Sequence, residues 1–253
     1  MTESTGIFPP DAVVRRVDSE AVLILGGGRA LLMQLAHPLV ARGVAEHSGF
    51  ESDPWSRLQR TLSAGYTIVF GTREQAEQTA AAVHAVHERV RGERYVANDP
   101  DLLLWVHATL VDTGLRVHRR FLGGLTAPDA ERYYAESMTV AEMLGVPRAA
   151  QPADLTAFRD YVRSTVASLE VSDEARQLAR SVLRPGLPFV VEPLAELARQ
   201  LTVGLLPRPL REQYGFGWDR QRKAALLAAG LAARQLLPRV PGVLRKVPAP
   251  LVA

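Results

Sequence analysis

The sequence predicts an all-α fold, on three observations. Helix start signals, each a capping residue followed by a proline or a capping-box partner, stand at 53–54, 72–75 and 99–100. Stop glycines follow them at helix-length distances, at Gly71, Gly92, Gly123 and Gly145. No segment alternates apolar and polar residues for long enough to make a convincing strand.

In chain order, Ser19 to Gly49 reads as a helix entering the triplet Gly26–Gly27–Gly28, a second from Arg29 to His37, and a third opened by Pro38. The triplet lacks a preceding strand and the spacing of a nucleotide loop, either GxxxxGK[ST] or GxGxxG. It is therefore read as small residues that let helices pack closely. Asp53 and Pro54 start a helix that carries Arg57 and Thr61 and ends at Gly71. Thr72, with Gln75 at the capping-box position, starts the next, expected to run to Gly92 with His84, His87 and Arg91 on one face. Asp99 and Pro100 open LLLWVHATLVDTGLRVHRRFLGG, and Pro128 and Asp129 lead into ERYYAESMTVAEMLG. Helices are expected near 156–169, 173–183 and 193–206, parted by RPGLP and PRP. The final helix, in DRQRKAALLAAGLAARQLLPRV, is basic and amphipathic, with an apolar face that packs on its own domain or docks on a membrane surface. All breaks are short, so residues 1–253 are expected to form a single domain, with helices of 156–246 packed on the part that contains 26–147.

Composition narrows the chemistry. A chain of 253 residues, 47% hydrophobic, can bury a full core without cross-links. It has no cysteine, which removes disulfides, thiolate nucleophiles, iron–sulfur clusters and thiolate-ligated metals. The net charge of +3 is interspersed with acids and gives no case for nucleic acid as a partner. The cations are almost all arginine, lysine standing only at Lys223 and Lys246; arginine favours planar, bidentate contacts to anions. The start MTESTGIFPPD lacks the basic and apolar regions of a secretion signal, so a cytoplasmic location is expected. The run AVLILGGGRALLMQLA is too interrupted for a membrane span of roughly 20 residues.

Six histidines, His37, His47, His84, His87, His107 and His118, are the candidate metal ligands. HExxH is absent, but HAVHE sets His84 and His87 three apart on one helix, a spacing that also serves a metal pair. Imidazole is in addition the common haem ligand where thiolate is absent, and one ligand suffices when the other side of the iron stays open to dioxygen. His87, among Val83, Val86 and Val90 and with Arg91 one turn on, suits a porphyrin, whose iron takes imidazole and whose propionates take arginine. Trp105 and His107 lie in a run apolar enough to be buried, where a histidine needs a partner but not a catalytic role.

Several segments occur together in an order that resembles the oxygenase family of the latex clearing protein, a haem b rubber dioxygenase, and of the fungal oxygenase of mycophenolic acid biosynthesis. They are GGGRALLMQLAHPLVARGVAEHSGF, DPWSRLQRT followed by VFG, VHERVRG, DPDLLLWVHATLV and YYAE, all within the first 150 residues. The resemblance implies an all-helical fold around haem b, with an RxxxT and an HxxxR motif near the haem. Arg57 and Thr61 match the first motif and His87 and Arg91 the second. His87 is then the iron ligand, and Arg57, Thr61 and Arg91 support the cofactor. The rubber enzymes carry a lysine just before the threonine, where this chain has Arg60, a residue that does not readily give up its proton. Arg60, with His37 and His107, is a candidate for the distal side. The implied activity is oxidation of a hydrophobic small molecule or lipid-like substrate by dioxygen. A haem- or lipid-binding protein with peripheral membrane contact, and a metal site without porphyrin at His84 and His87, are the alternatives.

Overall fold

The computed structural model describes residues 6–47, 54–183 and 192–247, with the backbone alone at 54–58, 193, 194 and 244. The fold is all-α apart from one minimal hairpin. α1 (Val13–Asp18) leads through a 3-10 turn (Ala21–Gly26) into α2 (Gly27–Leu35) and α3 (Pro38–His47). α4 (Pro54–Phe70) and α5 (Arg73–Glu88) pack against each other across the turn at Gly71 and Thr72. β1 (Arg91–Gly92) and β2 (Tyr95–Val96) pair antiparallel. α6 (Pro100–Val117) continues into a π turn (His118–Leu122), and α7 (Ala127–Met143) follows. The rest is α8 (Leu155–Ser168), α9 (Asp173–Leu183), α10 (Glu192–Leu205), α11 (Arg208–Gln213), α12 (Arg220–Leu236) and α13 (Gly242–Arg245).

Local chemistry sets most of these boundaries. Thr72 accepts from the Gln75 amide while the Gln75 side chain accepts from the Thr72 amide, the reciprocal cap the sequence signals. Asp99 caps α6 ahead of Pro100, and Thr126 caps α7. Gly123 stops the π turn at φ 94°, a conformation that favours glycine. Asp53, read as the cap of α4, lies outside the described residues.

Three boundaries differ from the sequence reading. Gly27 and Gly28 open α2 instead of separating two helices, because the preceding segment winds as a tighter 3-10 turn. α5 ends at Glu88, short of Gly92, because the chain turns there into the β1–β2 hairpin. α11 was not expected: it forms directly after the PRP break, Pro209 standing in its first turn, where the missing amide hydrogen costs nothing.

The middle of the fold is α2, all nine of whose residues are buried. A helix apolar nearly all round belongs in a core. α3, α6, α9 and α10 pack around it. The predicted role of the small residues holds: a Cβ on Gly26 would stand 2.5 Å from the Thr113 methyl, and one on Gly28 would collide with Thr202, so the triplet brings α6 and α10 close. Trp105 donates to the Met33 carbonyl at 3.1 Å and Tyr214 to the Leu32 carbonyl at 2.7 Å, serving the carbonyls near the end of α2. Arg29, fully buried, donates Nε to the Leu205 carbonyl at 2.9 Å and its two terminal nitrogens to Thr113 and Asp112. One guanidinium thus ties α2 to α6 and α10. Among the described residues no single helix is long and apolar enough to cross a membrane, though the bent pair Ala21–Leu35 and Pro38–His47 meets that test by length and composition together.

Candidate functional site

Between α1, α3, α4, α5, α6 and α7 lies a cavity of about 760 Å³, within the range of roughly 300–1,000 Å³ common for small-molecule and cofactor sites. Its wall is mostly apolar: Val14, Leu62, Val83, Val106 and Val140 are typical. α5 forms its outer side, and only Ala76 and Ala80 of that helix are buried. Polar groups are the minority of the lining and come from several helices.

Four residues singled out from sequence meet here: Arg60 and Thr61 from α4, His87 from α5 and His107 from α6. Arg60 is exposed, while Thr61 and His87 are half-buried. His107 is half-buried against the cavity. Burial pushes its imidazole down to about 4, opposed by a hydrogen bond to the backbone of Ser137. At neutral pH His107 is therefore uncharged, with one ring nitrogen donating to Ser137 and the other left as an acceptor.

The remaining candidates fall elsewhere. The side chain of Arg57 lies outside the described residues. Arg91 is not on the His87 helix, as the sequence reading had it. It is on β1, exposed, its Nε donating to the Glu88 carbonyl at 3.0 Å, and it is not part of the cavity wall. The α-helical spacing that would have put it beside His87 fails because the helix stops three residues short. His84 faces outward, 3.7 Å from Glu88, with about half its side chain exposed. It does not line the cavity, so the wall itself separates the two histidines that spacing left equivalent. His37 also lies off the wall; burial lowers its imidazole, opposed by the charge of Asp99.

Three further polar groups on the wall were not assigned to the site from sequence: His47, one of the six histidines, Tyr133, which stands in the YYAE segment, and Asp18. His47, at the end of α3, reaches the cavity while its Nε2 donates to the Arg91 carbonyl at 3.0 Å, fixing the hairpin to α3. Asp18 and Tyr133, 115 residues apart, meet with the Tyr133 hydroxyl donating to Oδ1 at 3.1 Å. Desolvation pushes the Asp18 carboxyl up to about 7, only partly countered by Tyr133. No residue within five positions of Asp18 is unusual enough to have flagged it.

These shifts give the site a pH signature. Folded Asp18 keeps its proton to about pH 7, whereas the unfolded chain loses it near 3.8, so its contribution to stability falls as pH rises through that window. His107 runs the other way, costing stability as pH falls from 6.5 towards 4. Asp18→Asn removes the first effect alone. We expect the variant to match the wild type near pH 4 and to be more stable at pH 8, by up to about 4 kcal/mol at roughly 1.4 kcal/mol per pKa unit. Thermal denaturation at the two pH values measures this, and equal midpoints at pH 8 would contradict the burial of a charged Asp18.

Comparison with known proteins follows the same lines. A family model described as "ER-bound oxygenase mpaB/B'/Rubber oxygenase, catalytic domain" matches residues 14–235. Two similar proteins, one from Mycobacterium bovis and one from Mycobacterium tuberculosis, are each 27% identical to this chain over 224 residues. The match covers 82% of this chain and 87% of either relative, and both are described as uncharacterized. No solved structure matches significantly.

Proposed function

Since this chain belongs to the mpaB/rubber oxygenase catalytic-domain family, an oxygenase family, we propose that it is a haem b-dependent oxygenase acting on a hydrophobic, lipid-like small molecule with dioxygen. The observation that supports this most is the shared wall: Arg60, Thr61, His87 and His107, drawn from three helices, line one largely apolar cavity.

The donors present suit a porphyrin better than a bare ion. Among the described residues no group of three or more histidine, aspartate or glutamate side chains could hold a metal by itself. That weakens the reading of His84 and His87 as a porphyrin-free pair. A porphyrin brings nitrogen ligands of its own and would need one imidazole from the protein. His87 is the residue for that role. Arg60, exposed on the cavity wall, would offer its guanidinium to a carboxylate of the cofactor, a task the sequence reading gave to Arg91. Thr61 adds a hydroxyl beside it.

When bound, haem would supply the iron that activates dioxygen. The chain's own contributions are binding, orientation and exclusion of water. His87 would hold the cofactor, and the apolar side chains of α4, α6 and α7 would hold an apolar substrate and keep bulk water out. His107, neutral and tethered to Ser137, presents an acceptor that does not take up a proton at neutral pH. We place the protein in the cytoplasm and treat the chain as one domain.

A second reading, a haem- or lipid-binding protein without turnover that docks on membranes, draws on α12. Leu227 and Leu231 stand exposed one turn apart on this basic helix. Oxygen uptake by the haem-loaded protein, with mass analysis of lipid-like candidates, separates the two. Substrate-dependent uptake with an oxygenated product is the expected result; spectral change on ligand binding with no product would favour the binder.

A further inference from the structure

The cavity holds one carboxyl for which the proposed cofactor chemistry has no use. Asp18 ends α1, is partly buried and lines the cavity wall. Its hydrogen-bond partner among the described residues is Tyr133, itself buried and on the same wall, with Tyr66 nearby. Among the described residues no cation is paired with it. Of its helix neighbours, Arg15 is spent on the Val69 carbonyl at 2.9 Å and lies over the Phe70 ring, while Arg16 pairs with Asp129 at 2.7 Å. A carboxyl held in an apolar wall, with one oxygen engaged by a hydroxyl and no counter-ion among the described residues, is costly unless something else meets it.

We infer that Asp18, held by Tyr133, is the polar anchor of the ligand cavity and that it takes the hydrogen-bond-donating head group, a hydroxyl or an amine, of an otherwise apolar molecule. This rests on the reading that the cavity receives the substrate, and it narrows the substrate class. The apolar wall takes the chain of the molecule, and the carboxyl accepts from its head. A fatty acid anion fits badly, because its head offers no donor and brings a second negative charge against the first. A plain hydrocarbon leaves the carboxyl unmet.

Three probes of equal chain length test the inference: 1-decanol, decylamine and decanoate, titrated calorimetrically at pH 8 into haem-loaded and haem-free protein. Decanol and decylamine are expected to bind about tenfold more tightly than decanoate, the size of one hydrogen bond to a charged group. Asp18→Leu should level the series. Asp18→Asn should keep decanol and lose the gain for decylamine, which identifies the donor as hydroxyl or amine; Tyr133→Phe should weaken both. Decanoate binding as well as or better than decanol would overturn the inference, as would an unchanged series in Asp18→Leu or no binding of any probe. If the leucine variant does not fold, by far-UV circular dichroism, the asparagine variant decides: an undiminished preference for decylamine overturns the anchor. A missing haem band would count against the cofactor and leave the order of the three probes intact, so the two failures are told apart.

Discussion

Arg29→Ala is expected to lower the melting temperature by about 10 °C or more, or to prevent folding at 37 °C. The side chain is completely buried and serves three acceptors on two neighbouring helices, the Leu205 carbonyl, Thr113 and Asp112. Truncation would leave Asp112 facing the core without its main partner, the Arg116 guanidinium being 4.0 Å away and half-exposed. Breaking a buried pair in this way costs about 3–5 kcal/mol, and a chain of this size loses about 2–4 °C per kcal/mol. Burial pulls the Arg29 guanidinium down to about 10, with the charge of Asp112 acting against it, so the arginine stays protonated at neutral pH and the loss does not depend on pH between 6 and 8. Removing both charges, with Arg29→Met and Asp112→Leu together, should recover part of the loss. Thermal denaturation of both variants beside the wild type measures this; a drop of less than 2 °C for Arg29→Ala would show that the buried guanidinium is not what joins α2 to α6 and α10.

The largest functional effect is expected at His87. His87→Ala should lower haem affinity on the order of 100-fold or more, exceeding the roughly 10–100-fold that loss of a supporting partner costs a metal site. His84→Ala, three residues away but outside the cavity wall, should leave haem content at the wild-type level. The comparison controls for helix propensity, since both substitutions place alanine on the same solvent-facing helix. Haem content per chain, from the pyridine haemochromogen, is the readout. Equal content in the two variants would refute the choice of His87.

Much of the fold was legible in local chemistry. The Thr72–Gln75 box and the Asp99–Pro100 start are short-range signals, and helices form where they say. α2 was foreshadowed as a helix starting at Arg29, and the glycines were read as packing residues rather than a nucleotide loop, as their close contacts with Thr113 and Thr202 bear out. What failed was the end of α5. The hairpin that stops it depends on Tyr95 and on His47, 44 residues before Arg91, and a helical period carried forward from His87 cannot sense a contact of that range. The same limit hid Asp18 and its pairing with Tyr133, a product of α1 packing on α7. For the site, residue spacing left His84 and His87 equal. The family resemblance chose between them, and the cavity wall separates them on different grounds, by which side of α5 each faces.

The central claim is that this chain binds haem b through His87 in the cavity shared by Arg60, Thr61 and His107. The direct measurement is the visible spectrum of the purified wild-type protein, before and during titration with haem. A Soret band that saturates at one haem per chain, and that His87→Ala fails to develop, is the predicted result. No Soret band after haem supplementation of folded wild-type protein would contradict the claim.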